Sequence, residues 1–245
     1  MISNADLIVA DLVVAGAAFF GAFVSGLTGF AFGLVVLGAW LHVIPPSVAG
    51  PMVVICGVLS QSVSFASVRR HVDLRRLWPF VVGGLAGIPL GVWLLGHVDP
   101  GLFKRGLGIF LVLTAGYQLF GRAAVLSFGG RSADGAVGFV GGVMSGLAGL
   151  SGAVPTLWAM LRGWPKDQAR AVYQPFNMVI MGTTLAGLWA AGLLNGEHLH
   201  YAMITAPSVV IGAALGLNAY RWIDPELFQR IVLFLLLASG AALVV

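Results

Sequence analysis

Ten residues of this chain recur in the same pattern 120 positions further on. Gly21-Ala22-Phe23-Val24-Ser25-Gly26-Leu27-Thr28-Gly29-Phe30 is answered by Gly141-Gly142-Val143-Met144-Ser145-Gly146-Leu147-Ala148-Gly149-Leu150. Each copy lies inside a long apolar segment. Glycine costs about 1 kcal/mol against alanine in a helix interior, so two such runs predict breaks in otherwise continuous helices. The correspondence extends beyond them. The same shift lays Pro45 on Pro165 and Ala49 on Ala169. Near the end of each half the shift becomes 125, and Asp99-Pro100-Gly101-Leu102-Phe103-Lys104-Arg105 meets Asp224-Pro225-Glu226-Leu227-Phe228-Gln229-Arg230. An ordered series that includes polar positions reads as an internal duplication, with repeats at 1–121 and 135–245 joined by a cytoplasmic loop, 122–134.

The segments around these runs set the solvent. Only 9% of residues are charged, 59% are hydrophobic and mean hydropathy is +0.97, whereas soluble domains carry about 25% charge. The chain is therefore expected to be an all-α integral membrane protein. Eight apolar blocks stand out, at 7–41, 48–67, 77–97, 103–121, 135–161, 172–192, 201–218 and 227–245. The single cysteine, Cys56, allows no disulfide or cysteine-based metal site within one chain and reads as a small buried hydrophobe. The residues Met1 to Asp6 lack the positive n-region of a secretory signal, so the first block is expected to remain in the mature protein.

The charges between blocks choose a topology. If every block crosses once, with 68–76 cytoplasmic, Arg69, Arg70, Arg75, Arg76, Arg122 and Arg131 fall inside. Lys104, Arg105, Arg162, Lys166, Arg170, Arg221 and Arg230 then fall outside, which is no bias. If blocks 7–41 and 135–161 each enter and return on one side, only Lys104 and Arg105 stay outside. The positive-inside rule prefers the second arrangement. It makes the repeats inverted, each a broken, re-entrant hairpin plus three transmembrane helices, with both termini on the non-cytoplasmic side. In block 7–41 the first 19 or so residues are expected to cross, with a shorter arm from Ser25. Block 135–161 is expected to form two half-helices meeting at mid-depth.

Inverted repeats with broken helices at the midplane are the plan of many secondary transporters. A half-helix start offers unpaired N–H groups and a positive dipole end to an anion. The candidate substrate-binding residues are Ser25, Gly26, Thr28 and Gly29 in the first run, and Ser145, Gly146, Gly149 and Ser151 in the second. Gln174 and Asn177 join them as amides near the start of block 172–192, with Pro175 in a first-turn position. Arg170 lies at the cytoplasmic mouth and reads as a solvated charge. All nine acids fall at segment ends or in loops, Asp11 being the one to watch. Proton and cation carriers usually keep an acid in the bundle, so an anionic or neutral substrate is expected. His198-Leu199-His200 is a weak metal motif, and most tryptophans stand near block ends, as an interfacial belt would place them. No nucleotide-binding, hydrolase or metalloprotease motif occurs, so neither catalysis nor a cofactor is expected, nor a nucleic-acid partner. Gly83-Gly84-Leu85-Ala86-Gly87 suits close helix contacts, within one protomer or in a homodimer.

The glycine-rich run with Phe30-Ala31-Phe32-Gly33, the Pro45-Pro46-Ser47-Val48-Ala49 stretch and the basic loop 68–76 together resemble the TauE/SafE family of sulfite exporter-like permeases. The second half repeats the theme from Ser145 to Pro155 and at Ala169. Where the family usually has Gly-Gly after Phe, this chain has Ala31-Phe32. The proline often found soon afterwards is replaced by Val35-Val36-Leu37, while the second half keeps Pro155. The resemblance implies transport of small sulfur-containing anions, sulfite or sulfonates, often outward across the bacterial inner membrane. The residues themselves leave a carboxylate or other oxyanion permease, a passive anion channel, and an intramembrane enzyme or assembly factor as alternatives.

Overall fold

Each glycine-rich segment folds as a long helix, a short break and a nine-residue helix that turns back. The computed structural model describes residues 4–68, 72–95 and 129–244, with isolated positions between 99 and 119. Among the described residues the chain is helical and has no strand. The first segment gives α1 (Asn4–Thr28) and α2 (Phe32–Trp40), followed by α3 (Pro46–Val68) and α4 (Leu74–Leu95). The second gives α5 (Arg131–Ala148) and α6 (Ala153–Leu161), followed by α7 (Lys166–Ala190), α8 (Gly196–Tyr220) and α9 (Pro225–Val244). Block 103–121 falls largely outside the described residues. Val9–Thr28, Ser47–Phe65, Leu74–Leu94 and Gly196–Tyr220 are long and apolar enough to cross a membrane.

The breaks sit at equivalent glycines, Gly29 at φ +86° and Gly149 at φ +70°. This left-handed backbone costs other L-residues about 1–2 kcal/mol, so glycine is required there. After α5 the Gly149 N–H bonds the Ser145 carbonyl at 2.8 Å and the Leu150 N–H bonds the Met144 carbonyl at 3.2 Å. The first of these is the 5→1 bond of an αL stop, with Gly149 in the left-handed position after the helix. The arms differ in length from expectation. Ser25 to Thr28 remain helical, so the long first arm has 25 residues and the return only 9. The second hairpin is no pair of half-helices either: its arms have 18 and 9 residues. At 1.5 Å per residue, 18 residues reach about 27 Å, close to a full crossing. Glycines before the breaks do not interrupt these helices, because neighbouring backbone packs against them.

That packing takes two forms of the same device. Gly83, Gly87 and Gly91 of α4 lie against Gly135, Phe139 and Val143 of α5, while Gly138, Gly142 and Gly146 of α5 lie against α4. Gly212 and Gly216 of α8 meet Phe19 and Phe23 of α1, and Gly26 meets Ala213 and Leu217. Both pairs run parallel. With lipid as the alternative solvent there is no hydrophobic force between helices, so close backbone approach through small residues supplies the attraction. The stretch 83–87 is thus used within the chain.

The short arms are tied back by tryptophans. Trp40 Nε1 donates to the Val14 carbonyl at 3.1 Å, and Trp158 Nε1 donates to Asp134 at 2.8 Å. Trp40 is fully buried, so it belongs to the core and not to an interfacial belt; Trp78, Trp93, Trp189 and Trp222 are exposed. α7 starts at Lys166, and Pro175 stands in its interior rather than its first turn.

The helix ends sort by charge. The starts of α4, α5 and α7 gather where α8 finishes. There Arg76 bonds Gln168 at 3.3 Å and lies over Trp164, Arg131 lies over Trp78, and Arg162 pairs with Asp134 at 3.5 Å. Lys166 Nζ donates to the Ile223 carbonyl at 2.7 Å. At the opposite end of α1 and α8, Asp11 meets His200 at 3.3 Å, and Asn195 with His198 forms the capping box of α8.

Candidate functional site

One face of α7 meets both helix breaks. Arg170, Tyr173, Gln174 and Asn177 follow the i, i+3, i+4, i+7 spacing that puts four side chains on one stripe. Opposite them lies the carbonyl end of α1, whose last groups have no intrahelical partner. Each finds one in a side chain. Arg170 donates from Nη2 to the Gly26 carbonyl at 2.7 Å and from Nη1 to the Leu27 carbonyl at 3.0 Å. The Tyr173 hydroxyl donates to the Thr28 carbonyl at 2.6 Å. Gly29 receives two donors, Gln61 Nε2 from α3 at 2.8 Å and Asn177 Nδ2 at 3.2 Å.

Asn177 also reaches the second break, where its Oδ1 accepts from the Ser151 hydroxyl at 3.0 Å. The Gly29 carbonyl can only accept, which fixes the amide with its nitrogen toward the first break and its oxygen toward the second. One side chain therefore joins both breaks. The breaks also touch directly. A Cβ on Gly33 would lie 2.8 Å from the Leu150 side chain, and one on Gly152 would lie 2.5 Å from both Phe30 and Asn177. The starts of α2 and α6 thus come together. Neither has a side-chain N-cap bond, so the positive ends of both helices are turned on one place.

The polar atoms of this junction are sealed in. Gln174 and Thr28 are 0% exposed, and Ser25, Ser145, Ser151 and Asn177 are 1% exposed. Among the described residues, the buried atoms without a partner include Gln174 Nε2, Gln61 Oε1 and Thr156 Oγ1. Such groups cost about 1–3 kcal/mol each when desolvated and unpaired. Asp134, Asp167, Glu197 and Glu226 occupy first turns of their helices, apart from the breaks.

The ten residues singled out in the sequence divide by location. Thr28, Gly29, Gly149, Ser151 and Asn177 stand at the junction, with Gln174 one turn back on α7, where it accepts from Arg170 Nε at 2.7 Å. Ser25 lies one turn before the first break. The Ser145 hydroxyl bonds that of Thr184 at 2.9 Å. Gly26 and Gly146 present their open sides to α8 and α4, as packing glycines. Thr28 Oγ1 turns back to the Val24 carbonyl at 2.8 Å and takes the Ala31 N–H at 3.4 Å. Arg170 departs most from expectation. It is 1% exposed rather than solvated, with its guanidinium 4.1 Å from the Tyr220 ring centroid. Tyr173 and Gln61 were not anticipated as caps. The four-residue stripe on α7 was the available signal. His198 is engaged with Asn195 and His200 with Asp11.

Alanine at Gly149 tests the second break. It must adopt φ +70° and bring Cβ to 2.7 Å from Val53 Cγ1. Backbone strain of about 1–2 kcal/mol and overpacking of about 1–3 kcal/mol should lower the thermal midpoint of the purified protein by several degrees. An unchanged melting curve would show that this glycine is dispensable.

Comparison with known proteins bears on the same stretch. The family model for the sulfite exporter TauE/SafE matches residues 14–243, which includes both breaks and α7. The chain belongs to the TauE/SafE family. The probable sulfite/organosulfonate exporter TauE of Cupriavidus necator is 26% identical over 233 residues, covering 91% of this chain and 89% of that protein. The probable inner membrane transporter protein TsaS of Comamonas testosteroni is 28% identical over 180 residues, covering 71% of this chain and 73% of that protein. No solved structure matches. Members of the TauE/SafE family are transporters and not enzymes, and this chain is a multi-pass membrane transporter.

Proposed function

We propose that this transporter is a secondary carrier exporting small sulfur-containing anions, sulfite or organosulfonates, by alternating access. The observation that carries the reading is the junction at Asn177. Two helix starts, neither capped by a side chain, converge there, and one amide holds the two breaks together. Helix starts bind anions through free N–H groups and the dipole. Gln174 Nε2 and Thr156 Oγ1 add neutral donors, both without a partner among the described residues. The relatives' names supply the sulfur chemistry, which the donors alone do not.

Two features support inverted repeats rocking about this junction. The hairpin α5–α6 begins on the side where α8, which runs parallel to α1, finishes, so the two hairpins run in opposite senses. The basic residues Arg75, Arg76, Arg131, Arg162, Lys166 and Arg221 stand near helix ends on that same side, which the positive-inside rule makes cytoplasmic. Both termini are then external. The burial of the junction favours a carrier over a channel, since an anion enters only if helices move.

Proteoliposomes decide between these readings. Loaded with sulfite, ethanesulfonate or acetate in turn, they should show saturable flux of the sulfur anions and at least tenfold less acetate flux. Flux that never saturates would make the protein a channel. Acetate carried as well as sulfonate would make it a general oxyanion permease. No flux of any of these anions would sink the proposal.

A further inference from the structure

A helix break creates a difficulty for anion binding. It places a helix start beside a helix end, and the two carry opposite partial charges. The end of α1 would repel the same anion that the start of α2 attracts. At the first break this end is masked, by the row of donors on the four carbonyls from Gly26 to Gly29. Three of the masking side chains are neutral. The fourth, Arg170, is charged at any working pH.

Arg170 is an unusual cation for its position. Burying an ion costs several kcal/mol unless it is paired, yet among the described residues no carboxylate lies within ion-pair distance of it. Its partners are two backbone carbonyls, the Gln174 amide and the face of Tyr220. Asp167, the acid three residues earlier, is exposed and takes the Tyr220 hydroxyl at 2.6 Å instead. The α1 dipole and the ring stabilise the guanidinium but leave its net charge uncancelled. Gly26 and Gly29 are separated by about 5 Å along the helix axis, so this charge lies close to the junction in a medium that screens it weakly.

The charge is not duplicated. Shifted by 120 positions, Arg170, Tyr173, Gln174 and Asn177 fall on Gly50, Val53, Val54 and Gly57. Val53 and Val54 line the second break at Gly149. The two breaks are thus lined by different chemistry, and one positive charge serves both.

We propose that Arg170 is the specificity-determining cation of this transporter. By holding the carbonyl end of α1 it removes the negative end from the junction, and its uncancelled charge selects anions over neutral molecules of the same shape. The inference rests on the anion-carrier reading above.

Binding of ethanesulfonate, competed by its neutral analogue ethyl methyl sulfone, tests it in detergent-purified protein. Ethanesulfonate stays ionised throughout the range used, so its own charge does not titrate. In Arg170→Met the preference for sulfonate over sulfone should fall at least tenfold, with helicity and monodispersity retained. Arg170→Lys gives a second readout that does not need the methionine variant to fold. A buried lysine loses its proton well below its usual pKa, whereas arginine does not. Sulfonate binding by Arg170→Lys should therefore fall as pH rises between about 7 and 9, while wild-type binding stays flat. A side chain that only braces the fold would produce no such slope. Wild-type preference in Arg170→Met, or a flat profile in Arg170→Lys, would overturn the role of Arg170 and leave the carrier reading intact. Failure of the wild type to bind both sulfite and ethanesulfonate would remove the carrier reading and this inference with it.

Discussion

Leucine in place of Asn177 is expected to reduce anion flux about a hundredfold while the protein still inserts and folds. The two side chains share a branched shape and the same number of heavy atoms, so leucine, though bulkier, should be accommodated at a modest cost. What is lost is the link between the breaks. The Gly29 carbonyl keeps its bond from Gln61 Nε2, but the Ser151 hydroxyl loses its acceptor. One buried hydroxyl left unpaired costs about 1–3 kcal/mol, within what a stable membrane bundle survives. The effect on transport should exceed that on stability. With the amide gone, only apolar contacts such as Gly152 against Phe30 hold the start of α6 near the end of α1, and the donors no longer converge. A hundredfold loss corresponds to about 2.8 kcal/mol at the junction. Asn177→Asp should be equally inactive for a different reason: a carboxylate cannot donate to Gly29, and it repels both that carbonyl and the anion. Initial flux into proteoliposomes, normalised to inserted protein, measures both variants. Flux within twofold of wild type for Asn177→Leu would mean that the two breaks do not form one site.

The reasons for these expectations were partly legible in the sequence. A glycine recurring at the same place in two repeats pointed to Gly29 and Gly149, because glycine is a poor choice inside a plain helix. Asn177 was legible as an amide where the neighbouring residues are apolar. The contribution of Arg170 was not. An arginine four residues past Lys166, near a loop, looks like an ordinary cytoplasmic charge. Only the start of α7 at Lys166 reveals that Arg170 lies one turn inside a helix, on the stripe with Tyr173 and Asn177. Trp40 misled in the same way. Proximity to a segment end suggested the interface, but α2 is a short return arm whose end stays inside the bundle. Both errors have one origin: distance along the chain was read as depth in the membrane, and a hairpin that turns back breaks that relation. Gly26 and Gly146 show the converse. They lie within the repeated run, yet their surroundings are the flanks of α8 and α4, which no local pattern could name.

Those flanks carry the second large prediction, which separates packing glycines from incidental ones. Valine at Gly142 should abolish the folded protein, while alanine at Gly182 should leave it intact or raise its stability. Both glycines sit inside long helices. A Cβ on Gly142 would overlap the Gly84 carbonyl, which is backbone of α4 and cannot swing aside as a side chain can. The helices must separate instead. Dispersion across the whole crossing then weakens, because a gap of about 0.5–1 Å forfeits about a quarter to a half of each contact's attraction. In lipid no hydrophobic effect offsets that loss. The cost should therefore lie at or above the upper end of the usual overpacking range of about 1–3 kcal/mol. Gly182 has nothing within 4 Å of the position that a Cβ would take. Alanine there removes only unfolded-state freedom and should add about 0.4–1 kcal/mol. Gly216 of α8, whose open side meets the Phe23 carbonyl of α1, should behave like Gly142. Membrane abundance and the thermal midpoint in detergent report all three. A Gly142→Val protein as abundant and stable as wild type would show that the α4–α5 crossing is loose. It would also remove the rigid frame that holds the second break against the first, since α5 reaches Gly149 directly from this crossing.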